Sequence, residues 1–116
     1  MNDVAAGFSD DDLRAYADAV ATLPPPSRSG PPADPALTER GQALVAKHQC
    51  NSCHGPDLAG RDALPRIRAQ REDYLAKALT GYKSNSRPGY DPAMNEVAQG
   101  LSEAEIKDLA AYVSRL

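Results

Sequence analysis

Tryptophan is absent from this 116-residue chain, phenylalanine occurs once, and aromatic side chains make up only 5%. A core built from the polypeptide alone would be thin, because large aromatics carry much of the apolar burial in small domains. No apolar run approaches the ~20 residues of a membrane-spanning helix. Met1 leads into Asn2, Asp3 and Val4, without the basic and apolar regions of a signal peptide. With 13 basic and 16 acidic residues the net charge is −3, which provides no basic footprint for nucleic acid. Two cysteines are too few for the disulfide framework of a small secreted domain. β-Branched residues are scarce and no stretch alternates apolar with polar, so a sheet is not expected. The length is that of one domain, which argues against a multidomain enzyme. The 25% charged and 41% hydrophobic content is ordinary for a soluble globular protein.

Helical patterns are easier to find. Ile106, Leu109, Ala110, Val113 and Leu116 form an apolar stripe at helical spacing, and Ser102 with Glu105 makes a capping box at its start. A second helix is predicted to begin with Asp34 as N-cap and Pro35 at the first helical position, where a missing N–H costs nothing. Its buried face would hold Leu37, Gly41, Leu44 and Val45. A third is predicted over Glu72–Tyr82, burying Leu75, Ala78, Leu79 and Tyr82. Residues 51–69 and 83–93 read as loop. That is more irregular chain than a compact domain tolerates unless something non-protein organises it.

Residues 1–23 repeat residues 94–116 without gaps. Nine of the 23 aligned positions are identical and about six more are conservative, among them Met1 on Met94, Gly7 on Gly100 and Ser9 on Ser102. The match extends into the residues before the cap, so it is more than two amphipathic helices looking alike. A Pro-rich stretch follows, and six of the ten prolines lie between Pro24 and Pro35, the mark of a semi-rigid linker. The chain therefore divides into the tail of one unit (1–23), a linker (24–34) and one complete unit (35–116).

Cys50-Asn51-Ser52-Cys53-His54 is C-x-x-C-H, the attachment signature for c-type haem. Two thiols at this spacing add across the porphyrin vinyl groups, and the next histidine lies under the ring where its imidazole can ligate iron. A zinc site would need four ligands, and only His48 could join these three, from the same short segment. Dithiol redox chemistry would call for a strand–helix setting that this chain lacks. For the second axial position, Met94, expected in a loop just before the capped C-terminal helix, lies far enough along the chain to reach the opposite face. His48 is too close to His54 to do so and reads as a surface or haem-edge residue. A methionine can also be packing alone. His/Met ligation fills both axial sites and raises the reduction potential, which argues for electron transfer over catalysis.

These residues resemble the class I c-type cytochromes over Pro35–Leu116: a helix with Gly41 running into C-x-x-C-H, then Pro65, Met94 and a final helix containing AAYV. The stretch from Leu64 to Arg87 is most similar to the dihaem cytochrome c4 group. The resemblance implies an all-α class I cytochrome c fold, few helices and long loops around one haem c per chain. It also implies that Gly41 crosses against Tyr112, and that the carbonyl of Pro65 accepts a hydrogen bond from His54. Tyr82, Lys83 and Arg87 become candidates to contact the haem propionates. The implied role is a periplasmic, non-enzymatic electron carrier that docks transiently with redox proteins.

A c4-like protein carries two C-x-x-C-H motifs, and this chain has one. The repeat accounts for the difference: residues 1–23 match the methionine and final helix of a first haem domain, with Ala19 opposite Tyr112 and Met1 a ligand without a haem of its own. The chain is then expected to be a piece of a longer protein or to start at an internal methionine. A haem module or subunit of a larger respiratory oxidoreductase is the alternative function, and a gas sensor or peroxidase would require an open axial site. The unpaired apolar stripe of residues 1–23 is expected to favour a homodimer.

Overall fold

A computed structural model describes residues 2–28, 30–87 and 92–116, Asn2 by its backbone alone. Met1, and with it the orphan-ligand expectation, lies outside the described residues. Among the described residues seven helices follow in order: α1 (Asn2–Ala5), α2 (Asp10–Ala21), α3 (Pro35–Lys47), α4 (Cys50–His54), α5 (Glu72–Lys83), α6 (Ala93–Gln99) and α7 (Glu103–Val113). Among the described residues there is no strand, only an isolated bridge between Arg61 and Leu64. No helix among them is long and apolar enough to cross a membrane.

The last helix is the hub. α7 packs on both α3 and α5, α6 packs on α5, and α4 follows α3. α3 starts where its local chemistry dictates: Asp34 Oδ1 accepts from the amide of Leu37 at 2.8 Å, and Pro35 occupies the first turn. Gly41 is the one residue of α3 that is fully buried, since a Cβ there would fall inside the ring of Tyr112. The two backbones meet only because one of them has no side chain. Leu37, Leu44 and Val45 of the expected apolar face are half-buried.

Among the described residues two small clusters make the core. Leu58, Leu75, Ala110, Tyr112 and Val113 form one, flanked by Leu37, Ile67 and Cys50. Ala98, Leu101, Ile106 and Leu109 form the other, flanked by Leu44, Leu79 and Tyr82. Ion pairs brace the hub from outside: Arg40–Asp108 at 2.9 Å and Lys47–Glu105 at 2.7 Å from α3, and Arg115–Glu72 at 2.8 Å from α5. Such exposed pairs contribute modestly, so the apolar crossing of α3 and α7 dominates.

Two stretches expected to be loop contain helix. Cys50–His54 is a helical turn, because Gln49 takes a left-handed φ of 52° and restarts the chain immediately after α3. Ala93–Gln99 is also helical, so Met94 sits in the first turn of α6 rather than in a loop. Neither has a periodic apolar stripe or a side-chain cap at its N-terminus; tertiary bonds hold them, and these leave no pattern in sequence.

The N-terminal region reproduces the repeat in three dimensions. α2 has the same capping box as α7, with Ser9 and Asp12 in the places of Ser102 and Glu105. Yet α2 buries none of its residues, and among the described residues neither α1 nor α2 packs on another helix.

Candidate haem-attachment site

The α3–α4 junction sets the site. Ser52 Oγ donates to the carbonyl of Gln49 at 2.7 Å and fixes the turn, which places Cys50 against the core and leaves Cys53 exposed. The thiols are free of any disulfide. Burial pushes the Cys50 thiol, before any attachment, above its ordinary range.

His54 ends α4 with only 7% of its surface exposed. Its Nδ1 lies 2.8 Å from the carbonyl oxygen of Pro65. A carbonyl only accepts, so Nδ1 carries a proton, and in the neutral imidazole it is Nε2 that keeps the lone pair. No hydrogen bond to that Nε2 forms among the described residues. An imidazole oriented by one nitrogen and open at the other is what a metal-ligating histidine requires.

The loop between them builds this contact. The amide of Gly60 donates to the carbonyl of His54 at 2.8 Å, and Gly60 has a φ of +87°. A Cβ at Gly60 would lie 2.6 Å from the amide nitrogen of Arg66, 2.8 Å from the Leu64 oxygen and 2.9 Å from the Pro65 carbonyl carbon. Glycine is thus required twice, for the dihedral and for the close approach. Arg61 and Leu64 exchange backbone bonds of 3.0 and 2.8 Å, and Arg61 Nη2 donates to the carbonyl of Ser52 at 3.1 Å, tying the loop to α4. Leu58, 2% exposed, anchors its inner side. Gly60 and Arg61 were missed from sequence; a glycine five residues before Pro65 in an irregular stretch was the available signal.

On the other side, Met94 is half-buried in the first turn of α6. Lys83 Nζ donates to the carbonyls of Leu101 at 2.6 Å and Gln99 at 3.3 Å, capping the end of α6. Arg87 stacks on the rings of Tyr74 and Tyr82, its carbon 5.3 and 5.1 Å from their centroids, and Nη2 donates to the Tyr74 hydroxyl at 2.9 Å. Tyr82 itself packs beside the second core cluster.

His48 departs from the surface or haem-edge position expected of it. Its side chain is 11% exposed and Nε2 lies 3.4 Å from Glu105 Oε1, so it belongs to the α3–α7 junction. Glu105 also receives Lys47 Nζ at 2.7 Å and the amide of Ser102 at 2.8 Å, which hold its carboxyl at about 2. No group of three His, Cys, Asp or Glu side chains is arranged to hold a metal ion among the described residues, which counts against the zinc alternative.

The donor set fits haem c: two free thiols one helical turn apart and a buried imidazole with one nitrogen open. A family model described as Cytochrome c matches residues 38–116. The chain is 30% identical to cytochrome c-552 of Acidithiobacillus ferridurans over 119 aligned residues, covering 97% of this chain and 51% of that protein. It is 31% identical to cytochrome c4 of Azotobacter vinelandii, covering 100% of this chain and 59% of the relative. A solved cytochrome c4 from Acidithiobacillus ferrooxidans superposes with a TM-score of 0.80 at 31% identity, over 100% of this chain and 70% of the other. The chain thus spans about half the length of these curated relatives. One C-x-x-C-H in one such domain means one covalent haem c. The fold is the all-helical one of the class I cytochromes, and the chain belongs to the cytochrome c family.

Proposed function

We propose that the unit of residues 35–116 carries single electrons on a haem c attached through Cys50 and Cys53, with His54 and Met94 as its axial ligands. When bound, the haem supplies a one-electron iron couple whose potential His/Met ligation raises. The observation that carries the reading is the His54–Pro65 contact of 2.8 Å, which holds the imidazole in one tautomer with Nε2 free. Tyr82, Lys83 and Arg87 are proposed at the propionate edge. Arg87 supports this best, since a guanidinium has donors beyond the one given to Tyr74. Donor and acceptor are proposed to be other redox proteins docking transiently, a mode that uses small interfaces, and the proposed location is the periplasm.

Residues 1–23 are proposed to be the methionine and final helix of a preceding cytochrome domain, and 24–34 the linker. The duplicated capping box and the unburied stripe of α2 support this. Until that stripe finds its own domain, it favours pairing of two chains.

Visible spectroscopy tests the ligands. The weak long-wavelength band of methionine-ligated ferric haem is expected in the intact chain and lost in Met94→Ala; survival of the band in that variant points to another sixth ligand. Rapid carbon monoxide binding by the reduced protein at neutral pH would favour a sensor or peroxidase instead. Stable co-purification with an enzyme would favour the module of a larger oxidoreductase.

A further inference from the structure

We infer that Asn95 is the positioning residue for Met94: a polar latch that sets how α6 is rotated, and so how firmly the methionine is presented. The inference rests on Met94 being the sixth ligand. α6 is short, its N-cap Pro92 makes no side-chain cap bond, and Ala98 is its one fully buried residue. Apolar burial alone cannot hold such a helix in one orientation. Its bonds to the end of α5 do so. Asn95 Nδ2 lies 3.0 Å from the carbonyl of Tyr82, 3.1 Å from Asn85 Oδ1 and 3.3 Å from the carbonyl of Arg87. Gln99 Nε2, one turn later on the same stripe, donates to the carbonyl of Lys83 at 2.7 Å.

All three oxygens facing Asn95 are acceptors, and the two backbone carbonyls can be nothing else. The amide nitrogen must therefore point at them, which settles the side chain's orientation. Asn95 also spans the α5–α6 connection, joining Tyr82 and Arg87 to the first turn of α6. Arg87 is fixed in turn by its amide donating to the carbonyl of Gly81 at 3.1 Å and by its stacking on Tyr74 and Tyr82.

Helical geometry turns this into a statement about Met94. Residues i and i+4 share a stripe, and successive residues are about 100° apart. Ala98 is fully buried against Leu101, Ile106 and Leu109, so Met94, one turn earlier on its stripe, faces the same inward side. Asn95 and Gln99 occupy the neighbouring stripe. Pinning that stripe to α5 fixes the helix's rotation, and with it the direction of the Met94 side chain. Asn95 does so in the same turn as Met94; Gln99 does so a turn away.

Asn95→Asp tests this with almost no change of shape. The carboxylate cannot donate and now faces three acceptors. In the haem-loaded ferric protein, two signals are followed through a urea titration: the methionine-ligation band and the far-ultraviolet helix signal. In the wild type they are expected to disappear together. In Asn95→Asp the band is expected to go first, the methionine-detached fraction at a given urea concentration rising on the order of tenfold. Asn95→Ser, which keeps one donor, should fall between. Gln99→Ala should move both signals together. Coincident loss of band and helix in Asn95→Asp overturns the inference. If that variant fails to load haem, Asn95→Ala is read by the same criterion. Met94→Ala run alongside separates the two readings: a band that survives there refutes Met94 as ligand, whatever Asn95 does.

Discussion

Residues 1–23 and 94–116 are two copies of one pattern placed in different surroundings. Both begin a helix with a serine whose side chain accepts from the third helical amide, and both place five apolar residues at the same offsets. α7 buries Ile106, Leu109, Ala110, Tyr112 and Val113, whereas α2 buries nothing: Tyr16, Val20 and, just past its end, Leu23 are 55, 65 and 64% exposed. The pair separates what a sequence decides locally from what it leaves to a partner. Capping and stripe suffice to shape the helix; only α3 and α5 convert the stripe of α7 into stability.

The comparison can be broken most forcefully at the Gly41–Tyr112 crossing. Gly41→Ala should cost about 5 kcal/mol or more, at the top of what overpacking does, because the new methyl falls inside the ring. Ala19→Tyr, which writes the same aromatic into α2, should leave the thermal midpoint unmoved. Next come the stripes. Ile106→Ala should lose about 2–5 kcal/mol in chemical denaturation, while Leu13→Ala, at concentrations low enough to keep the chain monomeric, should stay within about 0.5 kcal/mol. Equal costs in the two helices would mean that α2 has a packing partner in solution. The caps should differ less: Ser102→Ala should lower global stability by about 0.5–2 kcal/mol, and Ser9→Ala should reduce helix content alone.

The smallest expected effect is on pH. Glu105 has a folded value of about 2 against an ordinary 4.5, chiefly because Lys47 and Ser102 bond to it. A lowered carboxyl contributes stability that is complete above the ordinary value and is lost as pH falls from about 4.5 toward 2. Melting temperatures measured through that window should fall, and Glu105→Gln should flatten the slope. Asp12, lowered by its bonds with Ser9, should affect only the helicity of α2.

What the sequence made legible follows the same division. Asp34 and Pro35 mark the start of α3, Ser102 and Glu105 that of α7, and both are found there, because caps act within a turn. The C-x-x-C-H spacing names its chemistry because attachment needs three residues in one segment. α6, the burial of His48 and the fold of residues 55–66 were not legible. Each depends on partners far along the chain: Asn95 on Tyr82, His48 on Glu105, and Gly60 on a loop that returns to it. Such pairings have no period.

The loop after His54 has a consequence for mutational maps of this protein. Residues 61–65 are all exposed, yet the Pro65 carbonyl orients the buried imidazole and Gly60 admits no side chain. A saturation scan scored by redox spectrum should therefore show a band of intolerance running across open surface. Read by exposure alone, that band would pass for a docking patch, although what it records is the inward pull of a single carbonyl.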